Sequence, residues 1–209
     1  MPLHPDTLAI SMGRPPVVPD GPLNIPITPA SALHPGGSSG YARDGHAPWI
    51  ALEEAIGSLE GGDAVIFSSG MAAASAVMQL FPRDPVVVAP TVGYIDVREG
   101  LSHLRAEVRW VDLTDTDAVL AACDGAGVLW IESPTNPLMG IADVPRLCAF
   151  ARSHGLFSVV DNTFCTPLLQ HPLALGADVV IHSATKAIGG HSDLLLGVAV
   201  TTNTDHRAA

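Results

Sequence analysis

From Pro48 onward, short apolar runs alternate along the chain with segments whose apolar residues recur at helical spacing. The runs are AVIF, VVVAP, VRWVDL, GVLWIES, LFSVVDN and ADVVIHS, and the segments between them include WIALEEAIGSLE, MAAASAVMQLF, VREGLSHLR, TDTDAVLAAC and VPRLCAFARSH. Strands that alternate with helices form a mostly parallel sheet with helices on both faces. The sequence therefore predicts an α/β domain over residues 47–209.

Residues 1–46 differ in composition from the rest of the chain. They are rich in Pro, Gly and Ser, as in GRPPVVPDGPLNIPITPA and HPGGSSG, so regular helices and central strands are not expected there. Interspersed Leu, Ile and Val residues favour a segment laid against another surface over a disordered one. We therefore predict an extended N-terminal arm that reaches a neighbouring subunit.

Composition and charge argue against several classes of partner. The formal net charge of −11 repels phosphate backbones, so nucleic acid is not expected. No apolar run approaches the roughly 20 residues that cross a bilayer, and the start of the chain lacks the order of a secretory signal. Three cysteines without metal-type pairing indicate buried thiols. We expect a cytoplasmic protein with no membrane contact, disulfide framework or metal.

Ligands of parallel α/β sheets bind beyond the carboxyl ends of the strands. The residues that follow the predicted strands are Ser68, Ser69 and Gly70, then Pro90 onward, Glu132, Ser133 and Pro134, Asp161 and Asn162, and finally His182, Ser183, Thr185 and Lys186. Ser69 and Gly70 stand where a strand meets a helix, and the free amides there favour an anion such as phosphate. An ordinary strand-to-helix turn is the alternative.

Lys186 is the single lysine of a 209-residue chain that also has nine arginines. Arginine replaces lysine readily at solvated positions, but its guanidinium stays protonated and cannot form an imine. A retained lysine therefore indicates a position where a primary amine is chemically required, although a solvated surface charge is the alternative. The neighbouring hydroxyl groups of Ser183 and Thr185 could reach a phosphate in the same cleft.

Asp161 directly follows an apolar strand, where an isolated carboxylate is costly unless it meets a cation. A protonated ring nitrogen is such a cation, and a turn aspartate is the alternative. Pyridoxal 5′-phosphate combines a phosphate, a pyridine nitrogen that takes an aspartate and an aldehyde that takes a lysine. The three features together favour this cofactor.

Four longer stretches resemble one known family of enzymes. LEGGDAVIFSSGMAA, ESPTNP, VVDNTFCTPLLQHPLALGADVVIHSATK and GGHSDLLLG are similar to the Cys/Met-metabolism family of pyridoxal-phosphate enzymes. That family contains cystathionine γ-synthase, cystathionine γ-lyase, cystathionine β-lyase and methionine γ-lyase. The resemblance begins at about Pro22. It implies the aspartate-aminotransferase-like large domain of fold type I, with a mostly parallel seven-stranded sheet, in a homo-oligomer of dimers that share active sites, usually a tetramer.

The resemblance assigns roles to individual residues. Lys186 would form the Schiff base with the cofactor and shuttle protons, Asp161 would pair with the pyridine nitrogen, and Asn136 of ESPTNP would bond the ring hydroxyl oxygen. The resemblance implies that Gly70, Met71, Ser183 and Thr185 hold the phosphate, and Ser69, at the same turn, is a further predicted cofactor-binding residue. These roles make the strand ends a cofactor site.

Three further residues match the family outside those stretches. Tyr94 would stack on the cofactor ring and assist departure of the leaving group, although VGYIDVR differs from the usual Tyr-Gly-Gly-Thr pattern. Tyr41 and Arg43, in YARDG, would cross the subunit boundary to the phosphate of the neighbouring site. An arginine fork suits phosphate. The arm would thus complete the partner's active site.

The implied function is a carbon–sulfur lyase that acts on a small sulfur amino acid. Cystathionine γ-lyase-like γ-elimination is the first hypothesis, and γ-replacement of the cystathionine γ-synthase type is the second. The chain ends at VAVTTNTDHRAA, whereas family members continue into a smaller C-terminal domain, so a noncatalytic cofactor-binding subunit is a further alternative. A nicotinamide-binding domain is disfavoured, because no predicted strand precedes Gly-x-Gly-x-x-Gly.

Overall fold

The computed structural model describes residues 3–37 and 40–209. The chain divides into two compact units, Met1–Leu59 and Glu60–Ala209. The parts of the predicted arm at residues 1, 2, 38 and 39 lie outside the described residues. The boundary between arm and domain at residues 46 and 47 stays a prediction.

The first unit contains a short helix that the sequence did not predict. Helix α1 covers Pro5–Ser11, so the expectation that residues 1–46 hold no regular helix is wrong there. Pro5 is tolerated because an N–H in the first helical turn has no acceptor within the helix, so the N–H that proline lacks is not needed there. Nδ1 of His4 accepts the N–H of Asp6 at 3.3 Å. A 3₁₀ helix follows at Ala42–Asp44.

The second unit is built around a seven-stranded sheet. Its strands are β1 Asp63–Phe67, β2 Val86–Pro90, β3 Glu107–Val111, β4 Val128–Glu132, β5 Phe157–Asp161, β6 Val179–Ser183 and β7 Gly197–Thr201. Helix α2, Ala47–Glu60, ends as this unit begins; the helices after it are α3 Gly70–Met78, α4 Ile95–His103, α5 Thr116–Ala122, α6 Val144–His154, α7 Thr166–Leu169, α8 Pro172–Leu175 and α9 Thr204–Ala208.

The strand order is β1-β7-β6-β5-β4-β2-β3. Strand β7 runs antiparallel to both of its neighbours, and the remaining pairs are parallel. The predicted mostly parallel sheet and the α/β fold class are therefore confirmed. The parallel register pairs Glu132 with Asp161, which places the ends of β4 and β5 side by side.

Side chains of the central strands alternate between two apolar cores. Val159 packs in a core with residues of α3 and α4, whereas Val160 packs on the opposite face with residues of α5 and α6. This alternation follows from the two-residue period of a strand. It explains the uninterrupted apolar runs in the sequence, because both faces of the sheet are covered by helices.

The structure also bears on two expectations from composition. Cys123 and Cys148 are buried thiols, as predicted, whereas Cys165 is only partly buried. Within residues 3–37 and 40–209, every helix is too short or too polar to cross a bilayer.

Candidate active site

A cavity of about 280 Å³ opens at the carboxyl edge of the parallel strands. Nine predicted site residues line it, namely Ser69, Gly70, Met71, Tyr94, Asn136, Asp161, Ser183, Thr185 and Lys186. They come from four different strand ends and from the N-termini of α3 and α4. The fold thus brings together side chains that are distant in sequence, at the edge where such sheets bind ligands.

The N-terminus of α3 forms one wall of the cavity. The hydroxyl of Ser69 caps the helix by accepting the N–H of Ala72 at 3.1 Å. The amides of Gly70 and Met71 lie in the first turn, where a helix offers no internal acceptor. This end of the helix therefore presents donors and a partial positive charge that suit an anion, while Ser69 contributes mainly as the cap.

Two glycines allow this turn to lie close to the sheet. A Cβ atom on Gly70 would stand 2.8 Å from Cβ of Ser183, and a Cβ atom on Gly197 would overlap the carbonyl oxygen of Ser69. Neither site has room for a side chain without movement of the backbone. Gly197 was not predicted as a site residue, and its importance depends on β7 pairing beside β6.

The residues after β6 form a tight turn that carries Lys186. The amide of Lys186 donates to the carbonyl of Ser183 at 3.0 Å, and the amide of Ser183 donates to Oγ1 of Thr163 at 2.8 Å. Oγ1 of Thr185 accepts the N–H of Leu196 at 3.0 Å. The backbone of this turn is thereby fixed, and the exposed Lys186 side chain lines the cavity.

Asp161 places a carboxylate inside the cavity. Its Oδ1 accepts the N–H of Thr163 at 3.0 Å. Burial raises the pKa of Asp161. The hydrogen bonds from Thr163 and the charge of the nearby His182 only partly oppose that rise. Among the described residues, no arginine or lysine forms an ion pair with Asp161. A cation bound in the cavity would stabilise the ionised form.

Glu132, at the end of β4, is a site residue to which the sequence assigned no role. Its Oε2 accepts the N–H of Tyr94 at 2.8 Å, and its Oε1 accepts the N–H of Asn136 at 2.6 Å. One buried carboxylate thus holds the backbone of two predicted cofactor residues. The strand-final position of Glu132 was the available signal, but its partners could not be read from the sequence.

Burial raises the pKa of Glu132 to about 7, although the hydrogen bonds from the two backbone N–H groups act to lower it. Because the unfolded side chain releases its proton near 4.5, the folded state holds an extra proton between these values. The contribution of Glu132 to the free energy of unfolding is present below pH 4.5 and is lost as the pH rises through 7.

Replacing Glu132 with glutamine removes this titration. Urea unfolding at about pH 5 and about pH 8 should show the wild type losing about 1–3 kcal/mol more stability than Glu132→Gln across that interval. Glu99→Gln is a matched control, since Glu99 is an exposed carboxylate on α4, and it should follow the wild type. Identical losses in the wild type and Glu132→Gln would contradict the assignment.

Comparison with known proteins places the chain in a family. A family model described as Cys/Met metabolism PLP-dependent enzyme matches residues 27–209. The chain belongs to this family. It is 40% identical over 190 residues to cystathionine β-lyase MetC of Bacillus subtilis, covering 86% of this chain and 49% of that protein. It is 41% identical over 217 residues to cystathionine γ-synthase of Mycobacterium tuberculosis, covering 95% and 55%.

Solved structures of the same kind match the fold. The cystathionine γ-lyase CalE6 of Micromonospora echinospora superposes with a TM-score of 0.91 at 34% identity, over 99% of this chain and 57% of that one. Cystathionine γ-synthase of Xanthomonas oryzae, solved with cystathionine, gives 0.91 at 32% identity, over 100% and 57%. The chain spans about half the length of the curated relatives it matches.

Membership of the Cys/Met metabolism family confirms pyridoxal 5′-phosphate as the cofactor. The residues present fit it. The α3 N-terminus suits the phosphate, the Asp161 carboxylate lacks a cation among the described residues, and Lys186 supplies a primary amine in the same cavity. The role of each residue stays a prediction.

A buried polar network underlies the site of this family member. Oε1 of Glu60 accepts the Nδ2–H of Asn162 at 2.8 Å and contacts Nε2 of His182 at 2.6 Å. All three side chains are buried, and a carboxylate acceptor places the histidine proton on Nε2. Because Asn162 follows Asp161 and His182 precedes Ser183, the network braces two cavity-lining strand ends.

Tyr41 and Arg43 lie in the first compact unit. Both are exposed, and the Arg43 guanidinium lies 4.8 Å from the centroid of the Tyr41 ring. The pairing presents a cation and a phenol together on the predicted arm. Their role at the phosphate of a neighbouring subunit stays a prediction.

Proposed function

We propose that this chain is part of a pyridoxal-phosphate-dependent carbon–sulfur lyase of sulfur amino-acid metabolism, which acts on cystathionine by γ-elimination. The observation that carries the proposal is the convergence of Lys186, Asp161 and the α3 N-terminus on one cavity. The names of the relatives, which are cystathionine lyases and synthases, support the class of substrate.

Bound pyridoxal phosphate supplies an electrophilic aldehyde and an electron-accepting ring. Lys186 would hold the aldehyde carbon and, once the substrate amine replaces it, hold the proton taken from the substrate α-carbon at Nζ. Asp161 would keep the ring nitrogen protonated, and Asn136 would orient the ring through its oxygen. Tyr94 would cover the ring and stand near the leaving sulfur. The protein thereby contributes positioning and electrostatics.

A homo-oligomer is part of the proposal, with dimers that share active sites and assemble as a tetramer. Large apolar side chains are exposed in the second unit, among them Leu138, Ile141, Leu169 and Leu195. Exposed apolar side chains that form one contiguous patch mark an interaction site, so these residues are candidates for a contact between subunits. The predicted role of Tyr41 and Arg43 at a neighbour's phosphate also requires a second copy. A cytoplasmic location stays a prediction of the sequence.

Product analysis of the purified protein with cystathionine and pyridoxal 5′-phosphate tests the proposal. Cleavage of the Cγ–S bond gives cysteine, 2-oxobutanoate and ammonia, whereas cleavage of the Cβ–S bond gives homocysteine, pyruvate and ammonia. The similarity to a β-lyase and to γ-synthases makes β-elimination and γ-replacement the competing reactions. The second is assayed with an activated homoserine and cysteine.

Cysteine and 2-oxobutanoate in equal amounts support γ-elimination. Pyruvate as the keto product, or cystathionine formed from its precursors without cleavage, would replace the proposal with the corresponding reaction. Cofactor binding without any turnover would identify the chain as a cofactor-binding piece that is inactive by itself.

A further inference from the structure

We propose that Asp96 is a positioning residue that fixes the Tyr94 phenol at the cavity by accepting its hydroxyl hydrogen. Oη of Tyr94 donates to Oδ2 of Asp96 at 2.8 Å. The family pattern Tyr-Gly-Gly-Thr has no carboxylate after its tyrosine, whereas this chain has the order Tyr94, Ile95, Asp96. The clamp is therefore a feature of this chain's own sequence.

Tyr94 is held by hydrogen bonds at its backbone and at its hydroxyl group. The Glu132 carboxylate accepts the backbone N–H of Tyr94 at 2.8 Å. The backbone carbonyl of Tyr94 accepts the N–H of Arg98 at 3.1 Å, in the first turn of α4. Asp96 holds the opposite end through the hydroxyl. Tyr94 is 37% exposed at the cavity, so packing alone leaves room for its ring to turn. The hydrogen bond to Asp96 favours the orientation seen here.

The position of Asp96 suits a negatively charged acceptor. It lies in the first turn of α4, where the helix dipole stabilises a negative charge. A carboxylate is a stronger acceptor for a phenol than a neutral group is. The Asp96 carboxylate is thus well placed to hold the Tyr94 hydroxyl.

The charge of Asp96 also favours the neutral form of the phenol. The described residues that line the cavity with Tyr94 include the carboxyl groups of Glu132 and Asp161 and the amine of Lys186. Arg98, on α4, stacks over the Trp110 ring. The pKa of Tyr94 is raised, chiefly by the hydrogen bond to Asp96, then by burial and by the charge of Asp96.

A raised pKa favours the protonated phenol, which limits what Tyr94 can do in the site. A phenol that keeps its proton donates a hydrogen bond and cannot remove a proton from a substrate amine. If the proposed lyase function holds, proton removal falls to Lys186, and Tyr94 acts as a neutral group that covers the ring. Only this last step rests on the proposed function.

The chain offers a direct test because Tyr41 and Tyr94 are its only tyrosines. In a Tyr41→Phe background, the near-ultraviolet absorbance of phenolate reports Tyr94 alone. Titration of this protein is compared with the same background carrying Asp96→Asn or Asp96→Ala. We expect phenolate to appear at lower pH in both variants, because each loses the carboxylate acceptor and the negative charge that favour the protonated phenol.

Tyr41→Phe/Glu99→Gln is the matched control, since it removes an exposed carboxylate from the same helix, and it should titrate like the background. Circular dichroism over the same pH range confirms that each variant stays folded. Titration curves that coincide for the background and for its Asp96→Asn and Asp96→Ala variants would overturn the proposal. The readout needs neither cofactor nor substrate, so it remains decisive if the lyase assay fails.

Discussion

The Lys186→Ala variant is expected to give no imine absorbance band with pyridoxal 5′-phosphate, whereas the wild-type protein turns yellow. Lys186 is the only lysine of the chain, so no other side chain can form the imine. If the whole enzyme is a lyase as proposed, turnover falls by at least about a thousandfold, because the residue serves both as the attachment point and as the base. Absorbance spectra and product formation measure the two effects.

Lys186→Arg separates charge from covalent chemistry. Arginine keeps the positive charge in the cavity but cannot condense with the aldehyde, so this variant should resemble Lys186→Ala in its spectrum. Borohydride reduction followed by peptide mass analysis should place the cofactor of the wild type on the peptide that contains Lys186. An imine band of wild-type strength in Lys186→Ala would point to the N-terminal amine and would remove the basis of the proposed mechanism.

Glu60→Ala should lower the free energy of unfolding by about 3 kcal/mol. The side chain is 2% exposed, and its Oε1 contacts both Asn162 and His182. Alanine leaves these two buried groups without their acceptor, which costs more than the net value of the bonds themselves. Urea unfolding of the apoprotein measures the loss directly.

Two variants accompany this measurement. Glu60→Gln keeps the shape and one carbonyl oxygen, so it should lose less stability than Glu60→Ala. Glu99→Ala removes an exposed carboxylate and should change stability by no more than about 0.5 kcal/mol. If Glu60→Ala unfolds at the same urea concentration as Glu99→Ala, the buried network does not stabilise the strand ends.

Local features of the sequence were sufficient to predict much of the fold. The segment VPRLCAFARSH coincides with helix α6, because its limits are set by neighbouring residues: Asp143 caps the start, and Gly155 adopts a left-handed φ of 69° at the end. In contrast, α1 was not predicted, because the proline-rich composition of residues 1–46 argued against any helix there, whereas proline is acceptable in a first helical turn, as at Pro5. Strand β7 was missed because its short run follows a glycine-rich and polar stretch.

Some residues of the candidate site could likewise be predicted from the sequence, and others could not. Lys186, Asp161 and the turn before α3 could be predicted because each directly follows an apolar strand, and strand ends of a parallel sheet meet at one edge. The sequence by itself determined this set and, through its resemblance to the Cys/Met metabolism family, the cofactor.

Only the tertiary structure decided which groups support that set. Glu132 and Tyr94 are 38 residues apart, and Glu60 is 102 and 122 residues from Asn162 and His182. Such pairs carry no local pattern, because a hydrogen bond between distant residues depends on how the strands are ordered and not on the spacing of side chains along the chain. The identity of the buried carboxylates was visible in the sequence, but their partners were fixed only by folding.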